Sequence, residues 1–275
     1  MIFDSHRGFP IETDKDMPKL AANLTMMFNE LDFLDRFGAA ARAGFRGVEY
    51  LFPYEYDVHV LKQRLADHGL AQVLHNLPAG NWAAGERGIA CLPDRVAEFK
   101  AGVDRAIEYS CALGCPQVNC LAGVPPPNAD PNEAHETLIK NLQYAAPRLK
   151  AAGIKLLIEP INTRDIPGFL LCRTPQALNI IEAVGSDNLL VQYDIYHMQI
   201  MEGDLAVTIE RNLKRIAHMQ LADSPGRHEP GTGEINYSFL LGFIDRIGYS
   251  GWIGCEYKPA KRTDEGLGWS KPYLT

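Results

Sequence analysis

The stretch GIKLLIEPINTRDIPGFLLCRTPQALNIIEAVGSDNLLVQYD, residues 153–194, decides the fold. It begins with a short apolar run, IKLLIE, and ends with a second one, LLVQYD. Between them, residues 174–184 place apolar side chains three and four positions apart, as an amphipathic helix does. Pro175 stands at the start of that helix and Gly185 at its end, where each residue is favoured. Two apolar runs joined by a helix predict a parallel β-α-β unit.

The same unit recurs along the whole chain. The predicted strands are LAANLT at 20–25, GVEYL at 47–51, AQVLHNL at 71–77, QVNCL at 117–121, IKLLIE at 154–159, LLVQYD at 189–194, IAHMQL at 216–221 and WIGCE at 252–256. The predicted helices are 31–43, 93–113, 133–152, 174–184, 204–213 and 237–247. Eight strands in 275 residues predict a single α/β domain folded as a closed (β/α)8 TIM barrel, which typically needs ~250 residues.

The barrel domain is predicted to span residues 17–275, because neither a linker nor a change of composition divides it. Residues 1–16 precede it and are predicted to be an N-terminal extension of unknown role. They mix charged residues with apolar ones and lack the apolar core of a signal peptide. The longest apolar runs have the length of strands, so no membrane partner is expected.

The composition indicates which cellular compartment and which class of binding partner to expect. The net charge of -7 argues against nucleic acid as a partner, although a few local cations suffice to bind a small anion. The six cysteines, without a secretory signal, are expected to stay reduced, which predicts a cytoplasmic protein. A homo-oligomer is left open.

The last four predicted strands all end in oxygen-bearing side chains. In a (β/α)8 barrel the active site forms at the carboxyl ends of the strands. Three carboxylates gathered there would repel one another, and a divalent cation relieves that repulsion. Oxygen ligands favour Mg²⁺ or Mn²⁺. The predicted metal ligands are Glu159, Asp194, Gln220 and Glu256; the alternative for any one of them is a helix cap or a surface group.

Two histidines lie close to these strand ends. His197 follows Asp194 by three residues, so it is predicted to donate a hydrogen bond to substrate or to orient a ligand oxygen. A loop histidine with a local hydrogen bond is the alternative. His218 precedes Gln220 by two residues and therefore points the same way, either as a hydrogen-bonded histidine of the barrel interior or as a support for the ligands.

Two loops and one lysine complete the predicted substrate site. The loop ADSPGRHEPGTGEINY contains Arg227 and His228 among glycines, which suggests that it closes on an anionic or hydroxylated ligand. In the loop NLPAGNWAAGERGIA, Trp82 and Arg87 are predicted to form a lid over the site, and Arg87 would add a second positive charge. Lys258 follows Glu256 by two residues. Simple packing for Trp82 and a solvated side chain for Lys258 are the alternatives.

The motifs AANLTMMFNE, NLPAGNWAAGERGIACLP, IEPINTRDIPGFLL, QYDIYHMQIMEGDL, HMQLADSPGRHEPGTGEINY and GCEYKP extend over nearly all of the barrel. In them the chain resembles the xylose-isomerase-like TIM barrels, and among these the hydroxypyruvate isomerase group, which includes the 2-oxo-tetronate isomerases. The resemblance implies that Glu159 and Glu256 are both metal ligands and proton donors or acceptors. It also implies that Asp194 and Gln220 complete the metal shell. Relatives that epimerise ketohexoses usually carry histidine in place of Gln220.

The function implied is a metal-dependent isomerase that moves the carbonyl of a small 2-oxo-3-hydroxy acid through an enediolate. Hydroxypyruvate would give tartronate semialdehyde, and 2-oxo-tetronate would give 3-oxo-tetronate. The alternatives are a ketose 3-epimerase on the same metal site and a non-catalytic barrel that binds sugar acids. An abasic-site nuclease is disfavoured, because such a barrel needs more histidines at its strand ends and the net charge is acidic.

Overall fold

The computed structural model describes residues 18–274 of the chain. Eight parallel strands close into one barrel, in which the first strand pairs with the last. The strands are β1 (Lys19–Asn23), β2 (Gly47–Glu49), β3 (Ala71–Asn76), β4 (Gln117–Cys120), β5 (Lys155–Ile158), β6 (Leu189–Asp194), β7 (Ile216–Leu221) and β8 (Trp252–Cys255). The predicted (β/α)8 fold class is therefore confirmed. The predicted extension, residues 1–16, lies outside the described residues.

Helices connect the strands. They are α1 (Phe33–Arg42), α2 (Val58–His68), α3 (Val96–Leu113), α4 (Pro131–Ala151), α5 (Thr174–Val184), α6 (Ile195–Met201), α7 (Leu205–Asn212), α8 (Tyr237–Arg246) and α9 (Thr263–Gly266). The sequence did not predict α2, which buries only Leu61 and Leu65 and so has weak periodicity. It also did not predict α6, which follows β6 directly. Within residues 18–274, none of the helices combines the length and the apolar character needed to cross a bilayer.

All eight predicted strands are present, with ends that differ by up to two residues. Strand β1 ends two residues before its predicted end, at Asn23, because the side-chain oxygen of Asn23 accepts the backbone N–H of Thr25 at 3.1 Å. The backbone N–H of Glu256 likewise turns back to the carbonyl of Gly254 at 3.0 Å. Glu159 and Glu256 therefore each stand one residue beyond a strand, at the rim of the barrel.

The register of the last strands aligns the polar strand ends. Asp194 on β6 pairs with Gln220 on β7, and Gln220 pairs with Gly254 on β8. Residues paired in register lie at the same height in a sheet. Side chains at the ends of β6, β7 and β8 are therefore neighbours at one end of the barrel.

Hydrogen-bonded polar side chains are buried inside the barrel, on strands β1, β2, β4, β6 and β7. We call this set the interior polar network; its members are Asn23, Glu49, Gln117, Gln192, His218 and Gln220, all buried. A small apolar cluster of Ala21, Val73, Leu74 and Leu157 is packed separately from the main core. Buried polar groups are tolerated in a fold only when they are hydrogen-bonded, so this network constrains the arrangement of the site above it.

His75 on β3 lies outside the interior polar network and is also fully buried. Its Nε2 is 2.8 Å from the hydroxyl of Ser110, and its Nδ1 is 3.2 Å from the hydroxyl of Tyr54. Burial lowers the pKa of His75 from 6.5 to about 4. As the pH falls, the unfolded chain takes up this proton before the folded chain does. The stability that His75 contributes is therefore complete above pH 6.5 and is lost as the pH falls towards 4.

We expect acidification from pH 7 to pH 4 to remove ~3 kcal/mol of unfolding free energy through His75, at ~1.4 kcal/mol per pKa unit. The variant His75→Gln lacks the titrating group, so urea titrations at the two pH values should show a smaller loss. His59→Gln, a change at an exposed histidine on α2, should lose as much as the unaltered protein. Equal losses in His75→Gln and the unaltered protein would contradict the assignment.

Candidate active site

Four buried side chains converge at the carboxyl ends of the strands. Glu159, Asp194, His197 and Glu256 each offer one atom to a cluster in which all atoms lie within 4.8 Å of one another. Glu159 follows β5, Asp194 ends β6, His197 is on α6 and Glu256 follows β8. The structure thus brings together three of the four predicted metal ligands, with His197 beside them.

Asp194 has one satisfied and one unsatisfied oxygen. Its Oδ1 accepts the backbone N–H groups of Tyr196 at 2.8 Å and His197 at 3.4 Å, and so caps α6. Among residues 18–274, its Oδ2 is buried without a hydrogen-bond partner. A buried carboxylate oxygen without a donor is costly, and a bound cation would satisfy it. The unsatisfied oxygen and the three carboxylates fit a hard divalent cation.

Arg227 supplies a positive charge beside the carboxylates. Its Nη2 is 2.5 Å from Glu256 Oε2 and 3.7 Å from Asp194 Oδ2. Its Nη1 is 3.6 Å from the carboxylate of Asp165, and the guanidinium lies 5.1 Å from the ring centroid of Tyr196. The residue adopts a left-handed backbone conformation, with φ of 55°. Arg227 is therefore held in the site by three carboxylates and one aromatic ring.

Burial shifts the acidity of the clustered carboxyl groups. It raises the pKa of Glu256 to about 8, although the guanidinium of Arg227 opposes the shift. It raises the pKa of Asp194 to about 6. Burial, together with the nearby charges of Glu256 and Asp194, holds the pKa of Glu159 well above its usual range. The site therefore contains carboxyl groups that can exchange protons near neutral pH, as acid-base catalysis requires.

His197 presents a hydrogen-bond donor to the cluster. Its Nδ1 is 2.6 Å from Nδ2 of Asn162, whose side-chain oxygen already accepts two backbone N–H groups. Asn162 is therefore the donor, and a neutral His197 carries its hydrogen on Nε2. Burial and the charge of Arg227 lower the pKa of His197 well below 6.5, which keeps the ring neutral. This tautomer favours the predicted donor role over metal ligation through Nε2.

Gln220 is bonded through both ends of its amide. Its Nε2 donates to Glu49 Oε1 at 2.8 Å, and its Oε1 accepts from Gln192 Nε2 at 2.6 Å. An amide oxygen has two acceptor positions, so one of them remains for a cation. Gln220 stands opposite Asp194 in the sheet. Its role as a metal ligand stays a prediction.

A cavity of about 380 Å³ opens above the cluster and is lined by Trp82, Arg87, Glu159, His197, Arg227, Glu256 and Lys258, among others. The guanidinium of Arg87 stacks on Trp82 at 4.2 Å from the ring centroid and donates to the carbonyl of Glu86 at 2.8 Å. Trp82 also packs edge-on against Phe52, with 5.1 Å between ring centroids. Within residues 18–274, neither Arg87 nor Lys258 forms an ion pair, so both cations face the cavity free to bind an anion.

The loop after β7 is ordered by hydrogen bonds. The carboxylate of Asp223 accepts the N–H groups of Gly231 and Gly233, both at 2.9 Å; closure of the loop on a ligand stays a prediction. In the described part of the chain, His228 is not among the residues that line the cavity. Its Nδ1 lies 2.7 Å from the carbonyl of Lys258, which joins the loops after β7 and β8.

The sequence reasoning missed several residues that support the cluster. Asn119 on β4 donates to Glu159 Oε2 at 2.8 Å, and Asn162 contacts His197 as described above. Glu49 ends β2 and is almost fully buried. The predicted strand GVEYL ends at Leu51, so a search of strand ends passed over Glu49, which ends the strand in the structure. No sequence signal distinguishes Asn119 from any other polar residue within a strand.

Comparisons with known proteins identify the family of this chain. A family model described as xylose isomerase-like TIM barrel matches residues 37–273. The hydroxypyruvate isomerase of Escherichia coli (strain K12) is 55% identical over 257 residues, which cover 94% of this chain and 100% of that protein. The 2-oxo-tetronate isomerase of Cupriavidus necator is 51% identical, over 94% of this chain and 99% of that protein. The crystal structure of an AP endonuclease, family 2, from Brucella melitensis is 46% identical and covers 94% of this chain and 99% of that one, with a TM-score of 0.91.

Proposed function

We propose that this chain, which belongs to the xylose isomerase-like TIM barrel family and is an isomerase, moves the carbonyl group of a small 2-oxo-3-hydroxy acid to the neighbouring carbon. The substrate would be hydroxypyruvate or a 2-oxo-tetronate, as the names of the two relatives above indicate. The observation that carries the proposal is the pair of buried glutamates, Glu159 and Glu256, which line one cavity.

The carboxylates fit a divalent cation, which we propose as the cofactor, with Mg²⁺ or Mn²⁺ preferred. Glu159, Asp194 and Glu256 would hold it, and Gln220 would join them through its amide oxygen. The unsatisfied Oδ2 of Asp194 supports this assignment. When bound, such a cation polarises a carbonyl group and stabilises negative charge that develops on substrate oxygens.

The two glutamates would carry the proton between carbons. One takes the proton from the carbon that bears the hydroxyl group, and the electron pair forms the carbon-carbon double bond of an enediolate. A proton is then returned to the former carbonyl carbon, and the hydroxyl hydrogen moves to the former carbonyl oxygen. Burial raises the pKa of both glutamates above the ordinary range, which makes each carboxylate a stronger base for a C–H proton. His197 Nε2–H would donate to a substrate oxygen.

Two cations would bind the substrate carboxylate. Arg87 and Lys258 line the cavity and form no ion pair within residues 18–274. Arg227, in contrast, is engaged by Glu256 at 2.5 Å. We therefore assign the carboxylate to Arg87 and Lys258, with Arg227 holding Glu256 in place. Trp82 fixes Arg87 by stacking beneath its guanidinium.

A nuclease is the function that the name of the Brucella melitensis protein would suggest. The cluster in the described residues holds three carboxylates and one histidine, and that histidine is oriented as a donor. The net charge of -7 is unsuited to a nucleic-acid partner. We therefore propose no nuclease activity.

We also propose a cytoplasmic location. The cytoplasm keeps thiols reduced, which suits the six free cysteines.

The proposal is tested by NMR of the products formed from a panel of substrates in D₂O. Hydroxypyruvate and the 2-oxo-tetronates should yield products whose carbonyl has moved by one carbon, with deuterium at the former carbonyl carbon. Ketohexoses, run as controls, should remain unchanged. Inversion of a ketohexose centre would identify an epimerase instead. Binding of the acids without any conversion would identify a sugar-acid binding protein.

A further inference from the structure

Glu49 is a buried carboxylate that the proposed mechanism does not use. It ends β2, is 1% exposed, and in the described chain is not one of the residues that line the cavity. Its Oε1 accepts from Gln220 Nε2 at 2.8 Å and from Asn23 Nδ2 at 2.9 Å. Its Oε2 is 2.7 Å from Nε2 of His218. Glu49 is thus the centre of the interior polar network.

Strand β8, which is separated from β2 only by β1, leaves room for this carboxylate. A Cβ atom placed on Gly254 of β8 would overlap both carboxylate oxygens of Glu49. Glycine is therefore required at this strand position for Glu49 to reach Gln220 and His218. This observation is independent of the hydrogen bonds and shows that the backbone itself accommodates the carboxylate.

The chemistry of a carboxylate decides which way the amide of Gln220 faces. An ionised carboxylate only accepts hydrogen bonds, so Gln220 must turn its NH₂ group towards Glu49. The amide oxygen of Gln220 is thereby turned away from Glu49, where it accepts from Gln192 at 2.6 Å and keeps a second acceptor position. Without this constraint, rotation of the amide by half a turn would exchange the oxygen for the NH₂ group, which cannot bind a cation.

Asn23 connects Glu49 to Glu256 through hydrogen bonds. Its side-chain oxygen accepts the backbone N–H of Thr25 at 3.1 Å, so its NH₂ group must face the other way. That group lies 2.9 Å from Glu49 Oε1 and 3.2 Å from Glu256 Oε1. Glu49 and Glu256 therefore share one amide as donor.

We propose that Glu49 is a positioning residue that presents the oxygen of Gln220 to the metal site and, through Asn23, orients Glu256. The inference rests on the proposed function, because it assumes that Gln220 and Glu256 hold a cation. Supporting residues of this kind typically alter metal affinity 10–100-fold when they are changed.

The test measures Mn²⁺ binding in the absence of substrate, by the loss of the free Mn²⁺ EPR signal. In Glu49→Gln, the new side-chain amide can donate or accept a hydrogen bond. It therefore no longer fixes which end of the Gln220 amide faces it. We expect its Mn²⁺ affinity to fall about 10–100-fold. The same carboxylate-to-amide exchange at Glu229, which is buried and accepts from the backbone of Ala260 at 3.0 Å, should leave the affinity unchanged.

A second variant keeps the test decisive if Glu49→Gln does not fold. Gln220→Met removes the amide that Glu49 orients and should also weaken Mn²⁺ binding. In the double variant, Glu49→Gln should add less loss than it causes alone, the remainder being its effect on Glu256 through Asn23. Wild-type affinity in either single variant, or full addition of the two losses, would overturn the inference. These measurements need no substrate. A protein that binds Mn²⁺ as described but isomerises none of the acids would overturn the proposed function alone.

Discussion

Glu256→Gln should lower kcat for carbonyl migration about 10³-fold, the range expected when a general acid-base group is removed. The substitution keeps the size of the side chain and one acceptor oxygen, which can accept from Arg227 or from Asn23 but not from both, and it removes the group that exchanges the proton. KM should change far less than kcat, because Arg87 and Lys258 still bind the substrate. Progress curves followed by NMR in D₂O measure both turnover and exchange of the substrate C–H.

Glu229→Gln is the matched control and should retain full turnover, since in the described part of the chain the Glu229 carboxylate accepts a hydrogen bond from the backbone of Ala260 alone. Turnover close to normal in Glu256→Gln would remove Glu256 from the acid-base role. Glu159→Gln then separates the two possible arrangements. If that variant still exchanges the substrate C–H with solvent, Glu256 takes the first proton and Glu159 acts later.

Removing divalent cations is the second change expected to have a large effect. Dialysis against EDTA should lower kcat at least ~100-fold, because stabilisation of the developing oxyanion by a cation is worth several kcal/mol and each ~1.4 kcal/mol is tenfold in rate. Addition of Mg²⁺ or Mn²⁺ should restore the activity. Circular dichroism before and after dialysis checks that the fold is unchanged. Full activity in the presence of EDTA would contradict a metal-dependent reaction.

The strand ends explain why much of the site could be predicted. Periodicity places Glu159, Asp194 and Glu256 at the ends of three of the last four parallel strands, and barrel closure then brings such ends together whatever the details of packing. The clustering of these three residues could be predicted without knowing where their side chains point. Glu159 and Glu256 lie one residue beyond their strands, and they still reach the cluster.

Other parts of the site depend on geometry that periodicity does not contain. The orientation of His197 follows from Asn162, which lies in a loop 35 residues earlier in the chain. The contact between Glu49 and Gln220 joins residues 171 positions apart and depends on the absence of a side chain at Gly254. The order of the loop after β7 follows from Asp223, which its glycines gave no reason to expect.

The ion pairs of Arg227 have a consequence for selectivity among cations. At the proposed site, a cation held by Asp194 and Glu256 would have to share these carboxylates with the guanidinium, whose Nη2 lies 2.5 Å from Glu256 and 3.7 Å from Asp194. A small ion with two charges attracts carboxylates more strongly than Na⁺ or K⁺ does. We therefore expect Arg227 to favour divalent over monovalent cations at this site.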